Sequence, residues 1–178
     1  MKPEGMTPLH ENAQRSVFRL ETLNVYDVEA EAEEFRAFEA GLPFPDVPEM
    51  ERSMNLFRKM VDRGVKLQRL HVVDFPLTPY LRYELATYDS NVEAGEEILL
   101  ADRAWHPDLA ELTRDFALFD AETTHPSVVW MNYDASGKPG EYDYTEAPTD
   151  VARCIRLRDL ALAHAVPLEK FRALINME

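Results

Sequence analysis

The sequence has little cysteine, a shortage of positive charge and no long apolar run. Cys154 is its only cysteine, so an intramolecular disulfide and a zinc site built from several cysteines are both excluded. Lysine and arginine number 19 against 33 aspartate and glutamate residues, which gives a formal charge of −14. This charge repels phosphate backbones and anionic membrane surfaces, so we expect no direct binding to nucleic acid or membranes.

Segments that would direct the chain into or across a membrane are also missing. No apolar run approaches the roughly 20 residues that a membrane-spanning helix requires. The opening MKPEGMTPLHENAQRS lacks the apolar core of a secretory signal. We therefore expect a cytoplasmic protein.

The strong local motifs of catalysis and metal binding are absent. The sequence contains no GxxxxGK[ST], GxGxxG, GxSxG or HExxH. Its five histidines, at positions 10, 71, 106, 125 and 164, never lie within five residues of each other, which rules out a two-histidine metal site on one helix. A site assembled from distant residues stays open, but the sequence predicts no catalytic residue, no metal and no cofactor.

What is present predicts one α/β domain. With 178 residues and 46% hydrophobic residues, the chain is long enough for a sizeable core in a single domain. Residues 1–16 are polar with two prolines and are expected to form a flexible arm, followed by a single domain over 17–178. The helix and strand patterns alternate irregularly along the chain, so they predict a mixed central sheet flanked by helices.

The clearest strand and helix are neighbours in the sequence. VKLQRLHVVDF, starting at Val65, is bounded by Gly64 and Pro76 and is typical of a buried strand. Thr78 precedes Pro79 and can cap a helix that begins there, with a break expected over residues 89–91. Further strands are predicted at EILLAD, DFALFD and SVVWMNYD, with EYDYTE as a hairpin partner before a long helix that starts at Pro148.

Two polar residues interrupt the apolar strand. Arg69 and His71 share one face of it, and an unpaired polar group in an interior costs about 1–3 kcal/mol. They either face a pocket or pair with carboxylates such as Glu84 or Glu96 as a structural brace. Both alternatives stay open from the sequence.

The same choice applies to other polar residues near strand ends. Arg82 could bind a ligand carboxylate or phosphate, although a solvated arginine is commoner on a helix. Asp115 and Asp120 flank FALF at positions where α/β sheets bind ligands, but where aspartates also cap turns. The candidate ligand-binding residues are Arg69, Tyr80, Arg82, Glu84, Glu96 and Asp115.

Aromatic residues of the predicted hairpin offer a third surface. Tyr142 and Tyr144 lie at alternate positions on one face of the hairpin, and Trp130 lies on the preceding strand at a matching period, which predicts an aromatic face. This face either packs inside the domain or contacts a base, a partner or a second copy.

Five segments, taken together, resemble an uncharacterised actinobacterial family, the domain of unknown function DUF6879. They are RGVKLQRLHVVDFPLTPYLRYEL, NVEAGEEI, RDFALFD, VVWMNYDASGKPGEY and LRDLALAHAVPLEKF, and the resemblance extends from about Glu21 to Phe171. It implies a bacterial protein that is often encoded beside helix-turn-helix regulators.

The order of these pieces is more distantly similar to that of phospholipase D-like domains. Active members carry HxKxxxxD, in which the histidine attacks phosphorus and the lysine holds the phosphate oxygens. None of the five histidines here is followed two residues later by lysine. The resemblance therefore implies a phospholipase D-like fold without that catalytic machinery.

These observations lead to two expectations about function. The first is a non-catalytic ligand- or partner-binding domain in bacterial transcriptional or signalling control, which works with a DNA-binding regulator as protein partner and binds a small molecule. The alternative is an enzyme that acts on a phosphodiester or another small anionic substrate through Glu84, Glu96, Asp115 or Asp120.

Overall fold

Three parallel strands form the middle of the sheet in the computed structural model, which describes residues 1–175. Strand β2 (Lys66–Val73) lies between β1 (Ser16–Glu21) and β3 (Glu97–Asp102). Its last four residues are all buried, as its apolar sequence predicts for a strand covered on both faces. Residues 176–178 of the predicted domain lie outside the described residues.

Antiparallel strands complete the sheet on both sides. Strands β4 (Phe116–Phe119), β5 (Ser127–Trp130) and β6 (Asp143–Thr145) extend it beyond β1, while the short β7 (Val166–Pro167) pairs with β3. The order is β6-β5-β4-β1-β2-β3-β7. The prediction of a single α/β domain with a mixed central sheet is therefore confirmed.

Helices cover both faces of the sheet. They are α1 (Met6–Asn12), α2 (Ala32–Glu39), α3 (Pro48–Asp62), α4 (Pro79–Glu93), α5 (Pro148–His164) and α6 (Leu168–Ile175). Within residues 1–175, none of the helices combines the length and the apolar character needed to span a bilayer.

Helix α4 begins as predicted but ends later. The Thr78 hydroxyl oxygen accepts a hydrogen bond from the Leu81 N–H, which satisfies one of the free donors of the first turn. The predicted break over residues 89–91 is wrong, because the helix continues to Glu93. The Asn91 side chain is buried and donates to the Glu96 carboxylate at 2.7 Å instead of capping the helix.

The two faces of the sheet differ in character. One face carries Phe18 and Leu20 of β1 beside Leu70 and Val72 of β2, and it packs against α5 through Cys154. Burial raises the pKa of the Cys154 thiol to about 12, which identifies it as an unreactive core residue. The other face carries the polar residues of β1 and β2, and the candidate site lies there.

The predicted aromatic face of the hairpin does not form. Trp130 belongs to the apolar core under α5, whereas Tyr142 packs in the core on the opposite side of the sheet. Tyr144 is 44% exposed and pairs across the sheet with Val129. Because alternate residues of a strand point to opposite faces, a match in spacing between two strands did not fix a common side.

The first sixteen residues make ordered contacts with the domain. Helix α1 lies among them, and its His10 ring packs edge-on against Phe119, with the two ring centroids 5.2 Å apart. Met6 and Leu9 are packed against the core on the polar-site side of the sheet. The flexibility of this segment stays a prediction.

At Gly137, the turn before β6 packs closely against the backbone of the loop that follows β1, and a substitution there tests this contact. The φ of Gly137 is +87°, and a Cβ there would lie 2.4 Å from the Val25 carbonyl oxygen. Gly64 has almost the same φ of +85°, but a Cβ there would meet nothing within 4 Å. Both Gly→Ala changes place alanine in a left-handed conformation and carry that cost equally. Only Gly137→Ala adds a collision with the backbone.

We expect Gly137→Ala to lower the free energy of unfolding by about 2 kcal/mol more than Gly64→Ala, since overpacking typically costs about 1–3 kcal/mol. Urea unfolding of both variants, followed by circular dichroism, measures the difference. Equal losses would mean that the loop moves aside at no cost.

Candidate functional site

Four polar side chains form a row across the centre of the sheet. Arg19 and Glu21 of β1 lie beside Arg69 and His71 of β2, because the strands pair Arg19 with Arg69 and Glu21 with His71. Both guanidinium groups contact the Glu21 Oε1 atom, Arg19 through Nη2 at 2.9 Å and Arg69 through Nη1 at 3.2 Å. Arg69 also donates from Nε to Glu96 at 3.3 Å. The row is thus an ion-pair network in the interior.

Glu21 is the charged centre of this network. Burial by itself would raise the pKa of the Glu21 carboxyl, but the charges of Arg19 and Arg69, together with the hydrogen bond from Tyr88, lower it to about 2. The side chain is almost fully buried, at 2% exposure. Glu21 therefore stays ionised under all ordinary conditions.

His71 is held in one orientation and is uncharged. Its Nε2 lies 2.7 Å from the Leu23 carbonyl oxygen, which only accepts hydrogen bonds, so Nε2 carries the proton. Its Nδ1 then has a free lone pair, which faces the Tyr88 hydroxyl at 3.0 Å. Burial lowers the pKa of His71, more than Glu21 raises it, so the neutral ring is the stable form.

Glu84 of α4 approaches the row without joining the network. Its Oε2 is buried and has no hydrogen-bond partner, although it lies 3.3 Å from His71 Nδ1. Burial, followed by the charges of Glu21 and Glu31, raises the pKa of Glu84 well above its usual range. The short distance between Glu84 and a neutral His71 is therefore not an ion pair. The raised pKa favours the protonated, uncharged form of Glu84 over the carboxylate.

Tyrosine hydroxyls anchor the neighbouring carboxylates. Tyr26 donates to Asp115 at 2.6 Å, and the Thr22 backbone N–H donates to the same carboxylate at 2.8 Å. Tyr80 donates to Glu31 at 2.5 Å. Asp115 remains a buried acid whose pKa is raised by burial, despite the hydrogen bonds from Tyr26 and Thr22 that lower it. These contacts tie the loop after β1 to α4 and β4.

Two adjoining cavities open onto this face of the sheet. The smaller, about 200 Å³, is lined by Glu21, Glu84 and Tyr88 together with Tyr80. The larger, about 290 Å³, lies towards α1. Both have in their walls Arg19, Val28, Glu31, Ser53, Phe57 and Arg69. These shared residues show that the two cavities adjoin, and we refer to them together as the cleft between the sheet and α3.

The structure brings together several of the residues that the sequence predicts. Arg69, Glu84 and Glu96 meet at the cleft, and Tyr80 lines its smaller part. Asp115 lines neither cavity: it is buried, accepts a hydrogen bond from Tyr26 and borders a separate cavity beside Thr22. Both alternatives that were open for Arg69 apply. Its guanidinium forms ion pairs with Glu21 and Glu96, and it also lines the cleft.

Two other predicted residues lie elsewhere. Arg82 is exposed on α4 and lines none of the described cavities. Asp120 accepts hydrogen bonds from the backbone N–H groups of Gln14, Arg15 and Ser16, at the opposite end of β1. It therefore acts as a cap, which is the alternative that the sequence analysis left open.

The sequence analysis missed Arg19 and Glu21, the residues at the centre of the site. The signal was present, since both share one face of the strand segment SVFRLE, as Arg69 and His71 do on β2. The same reasoning about buried polar residues on a strand would have found them.

Comparisons with known proteins identify the family and the fold. The family model described as Domain of unknown function (DUF6879) matches residues 4–173. No curated protein sequence matches the chain.

Two solved structures resemble the domain. One is TrmBL2, an archaeal chromatin protein with a novel mode of DNA binding, at 16% identity and a TM-score of 0.49 over 92% of this chain. This chain spans about half of TrmBL2, 49% of its length. The other is Nuc from Salmonella typhimurium, a phospholipase D family member, at 12% identity and a TM-score of 0.51 over 93% of this chain and 92% of Nuc. The predicted likeness to the phospholipase D fold is confirmed, as a likeness of fold alone.

The raised pKa of Glu84 leads to a prediction about how the free energy of unfolding depends on pH. The pKa of Glu84 is raised in the folded state, so the wild-type protein loses stability as the pH rises above the unfolded value of about 4.5. Glutamine has the same shape and needs no proton to be buried uncharged. We expect Glu84→Gln to be more stable than wild type by about 1 kcal/mol or more at pH 7, and the difference to vanish near pH 4.

Urea unfolding at both pH values measures this difference. Glu97→Gln is the matched control, because the Glu97 side chain is half exposed and its substitution should change stability by less than about 0.5 kcal/mol. An ion pair between Glu84 and a protonated His71 would reverse the result, with Glu84→Gln less stable at pH 7.

Proposed function

This chain belongs to the DUF6879 family, and we propose that its domain binds a compact anionic small molecule without transforming it. In this proposal the domain is the ligand-responsive part of bacterial transcriptional or signalling control. The ligand lies in the cleft between the sheet and α3, with its anionic group at Arg19 and Arg69.

The observation that carries the proposal is an unused donor on Arg19. The Nε atom of Arg19 is buried and has no hydrogen-bond partner, whereas Nη2 binds Glu21. A buried donor without a partner costs about 1–3 kcal/mol. A carboxylate or phosphate oxygen in the cleft would supply that partner, and a guanidinium binds such groups in a fixed fork.

The position of Arg19 supports access by a ligand. Its side chain is 32% exposed, and it borders both parts of the cleft, whereas the Arg69 side chain is 13% exposed. Glu21 and Glu96 already contact Arg69. Arg19 is therefore the cation with more capacity left for a new anionic partner.

The larger part of the cleft supports a ligand that also has an apolar portion. Leu56 and Phe57 of α3 face Met131 across it, and Met6 of α1 completes the wall. Pockets for small molecules are mostly apolar with a few polar groups that fix orientation, and they measure roughly 300–1,000 Å³. The cleft has this character at the small end of that range, which favours a metabolite-sized ligand.

The charge of the chain supports a protein partner in this proposal. A formal charge of −14 opposes direct contact with DNA and favours a partner with a basic surface. A DNA-binding regulator meets this description. In this arrangement the regulator contacts DNA, and the present domain supplies the response to the ligand.

A second candidate function rests on the contrast between two carboxyl groups. Glu84 and Glu21 line the same part of the cleft, and their pKa values are shifted in opposite directions. In many enzymes, two neighbouring carboxyl groups have pKa values shifted apart in this way, so that the protonated one acts as a general acid and the other stays ionised. An enzyme acting on a phosphodiester or another small anionic substrate is therefore the alternative.

The binding proposal predicts a ligand-dependent rise in melting temperature. In a thermal-shift screen of small carboxylic acids, phosphate monoesters and inorganic phosphate, we expect at least one compound class to stabilise the wild-type chain. A ligand at about 100 times its Kd adds about 2.7 kcal/mol, which raises the Tm by about 5–10 °C for a chain of this size. Arg19→Gln should abolish the shift, measured against its own ligand-free Tm.

Arg82→Gln is the matched control, since it removes an exposed arginine outside the cleft and should leave the shift unchanged. A shift that survives in Arg19→Gln would contradict the proposed position of the anionic group. Loss of the shift in Arg82→Gln would move the site to the outer surface of α4.

The enzyme alternative makes a separate prediction. Under it, bis-p-nitrophenyl phosphate or a related phosphodiester is hydrolysed, and Glu84→Gln lowers kcat by at least about 100-fold through loss of the acid. Under the binding proposal, release of p-nitrophenol stays at the buffer rate in wild type and variant alike. A continuous absorbance assay at about 400 nm, near the absorption maximum of p-nitrophenolate, measures this release. It separates the enzyme alternative from the binding proposal, because general acid catalysis contributes about 10²–10⁴-fold to a rate.

A further inference from the structure

We infer that Glu21, His71 and Glu84 form a binding site for a divalent transition-metal ion of the Mn²⁺ or Zn²⁺ class. The three residues come from β1, β2 and α4 and are distant in sequence. Each offers one ligand atom, and these atoms all lie within 4.8 Å of one another. Among residues 1–175, no other set of three histidine, cysteine or acidic residues brings its ligand atoms this close.

The spacing of the ligand atoms suits an ion. His71 Nδ1 lies 3.7 Å from Glu21 Oε2 and 3.3 Å from Glu84 Oε2. Metal–ligand bonds of about 2.0–2.2 Å separate neighbouring ligand atoms by roughly 3–3.6 Å. Small side-chain rotations therefore bring all three atoms into contact with one ion.

The orientation of His71 matches that of a metal ligand. Histidines that bind metals usually donate their second ring N–H to a carbonyl or a carboxylate, which fixes the ring and frees the other nitrogen. The Nε2–H of His71 donates to the Leu23 carbonyl oxygen at 2.7 Å, and Nδ1 faces the two carboxylates. The backbone of the loop after β1 thus already supplies the supporting contact.

Glu84 provides the independent sign of a missing partner. Its side chain is 9% exposed, and its Oε2 atom has no hydrogen bond although it points at His71 Nδ1 from 3.3 Å. The residue has no lysine or arginine partner within ion-pair distance in the described part of the chain. A cation at this point would bind an oxygen that is otherwise buried without a hydrogen bond.

Glu21 can serve the ion and the arginines at the same time. Both guanidinium groups contact its Oε1, while Oε2 faces His71. The two arginines oppose a cation electrostatically, and Glu96 offsets part of this effect through its contact with Arg69. The ion would displace the proton of Glu84, and the two carboxylates of Glu21 and Glu84 would then match its double charge.

The ligand set indicates which ions fit. One imidazole nitrogen and two carboxylates suit Mn²⁺ and Zn²⁺, whereas Ca²⁺ takes six to eight oxygen ligands and Mg²⁺ prefers an octahedron of oxygens. The Tyr88 hydroxyl lies 3.0 Å from His71 Nδ1 and 3.2 Å from Glu21 Oε2. It would either turn aside or become a fourth ligand when the ion binds.

The test uses the whole chain, treated with a chelator and then titrated with Mn²⁺ or Zn²⁺ alone. We expect about one equivalent of ion to bind, with Mg²⁺ unable to compete at equal concentration. Glu84→Gln should weaken binding at least tenfold, since even residues that only support a metal ligand are worth about 10–100-fold. Because no organic ligand is present, the result does not depend on the function proposed above.

A surface control is needed, because zinc also binds exposed histidines. The His106 and His164 rings stack with their centroids 4.1 Å apart, and Asp108 lies 4.0 Å from His164 Nε2. His164→Gln removes this pair and should leave the affinity unchanged. Electron spin echo spectra of the Mn²⁺-loaded wild-type chain should also show coupling to one imidazole nitrogen, a measurement that requires no variant of the buried site.

Four outcomes would overturn the inference. Three concern affinity: the absence of saturable binding for both ions, unchanged affinity in Glu84→Gln, and loss of binding in His164→Gln. The last would assign the ion to the surface pair. A spectrum without nitrogen coupling would likewise exclude His71 as a ligand, whatever the stability of the Glu84 variant.

Discussion

The pairing of Arg19 with Arg69 across two central strands is the constraint on which the rest of the site depends. Two guanidinium groups at opposed positions of a buried sheet repel each other, and neither can be moved without shifting the register of β1 and β2. Glu21 resolves this by binding both through one oxygen. Glu96 provides the second counter-charge for Arg69. The ion pairs therefore fix the register that the apolar residues on the opposite face also require.

This arrangement leaves the charge unevenly distributed above the sheet. Glu21 receives both arginines and stays ionised, whereas Glu84, on α4 and close to the same histidine, receives neither and is protonated. Helix α4 is positioned by Tyr88, whose hydroxyl contacts Glu21, and by Asn91, whose amide holds Glu96. Helix α4 thus carries Glu84, which has no ion-pair partner, and also contacts Glu21 and Glu96, which do. Any ion or ligand that interacts with Glu84 acts directly on this helix.

The elements were predictable where local signals agree, and the site was predictable only in part. Thr78 and Pro79 marked the start of α4, and the apolar run after Gly64 marked β2, because capping and strand burial are local effects. Arg82 was among the predicted ligand-binding residues, whereas Arg19 was not considered. Which arginine reaches the cleft depends on the side of α4 that packs on the sheet and on the pairing of β1 with β2. Those are long-range contacts, which one sequence does not reveal.

Stability does not account for the polar row. Replacing a buried ion-pair network by apolar residues of similar volume is often neutral or stabilising, by about 1–4 kcal/mol. A pure brace would also use all of its hydrogen-bonding atoms, as Asp115 does with Tyr26 and Thr22. The row instead keeps one buried donor, Arg19 Nε, without a partner, and the adjacent Glu84 keeps one buried oxygen, Oε2, without a hydrogen bond. Both residues border the same cavity. A donor and an acidic oxygen left free on two sides of one cavity are the features on which the proposed binding site rests, and a structural brace would not need them.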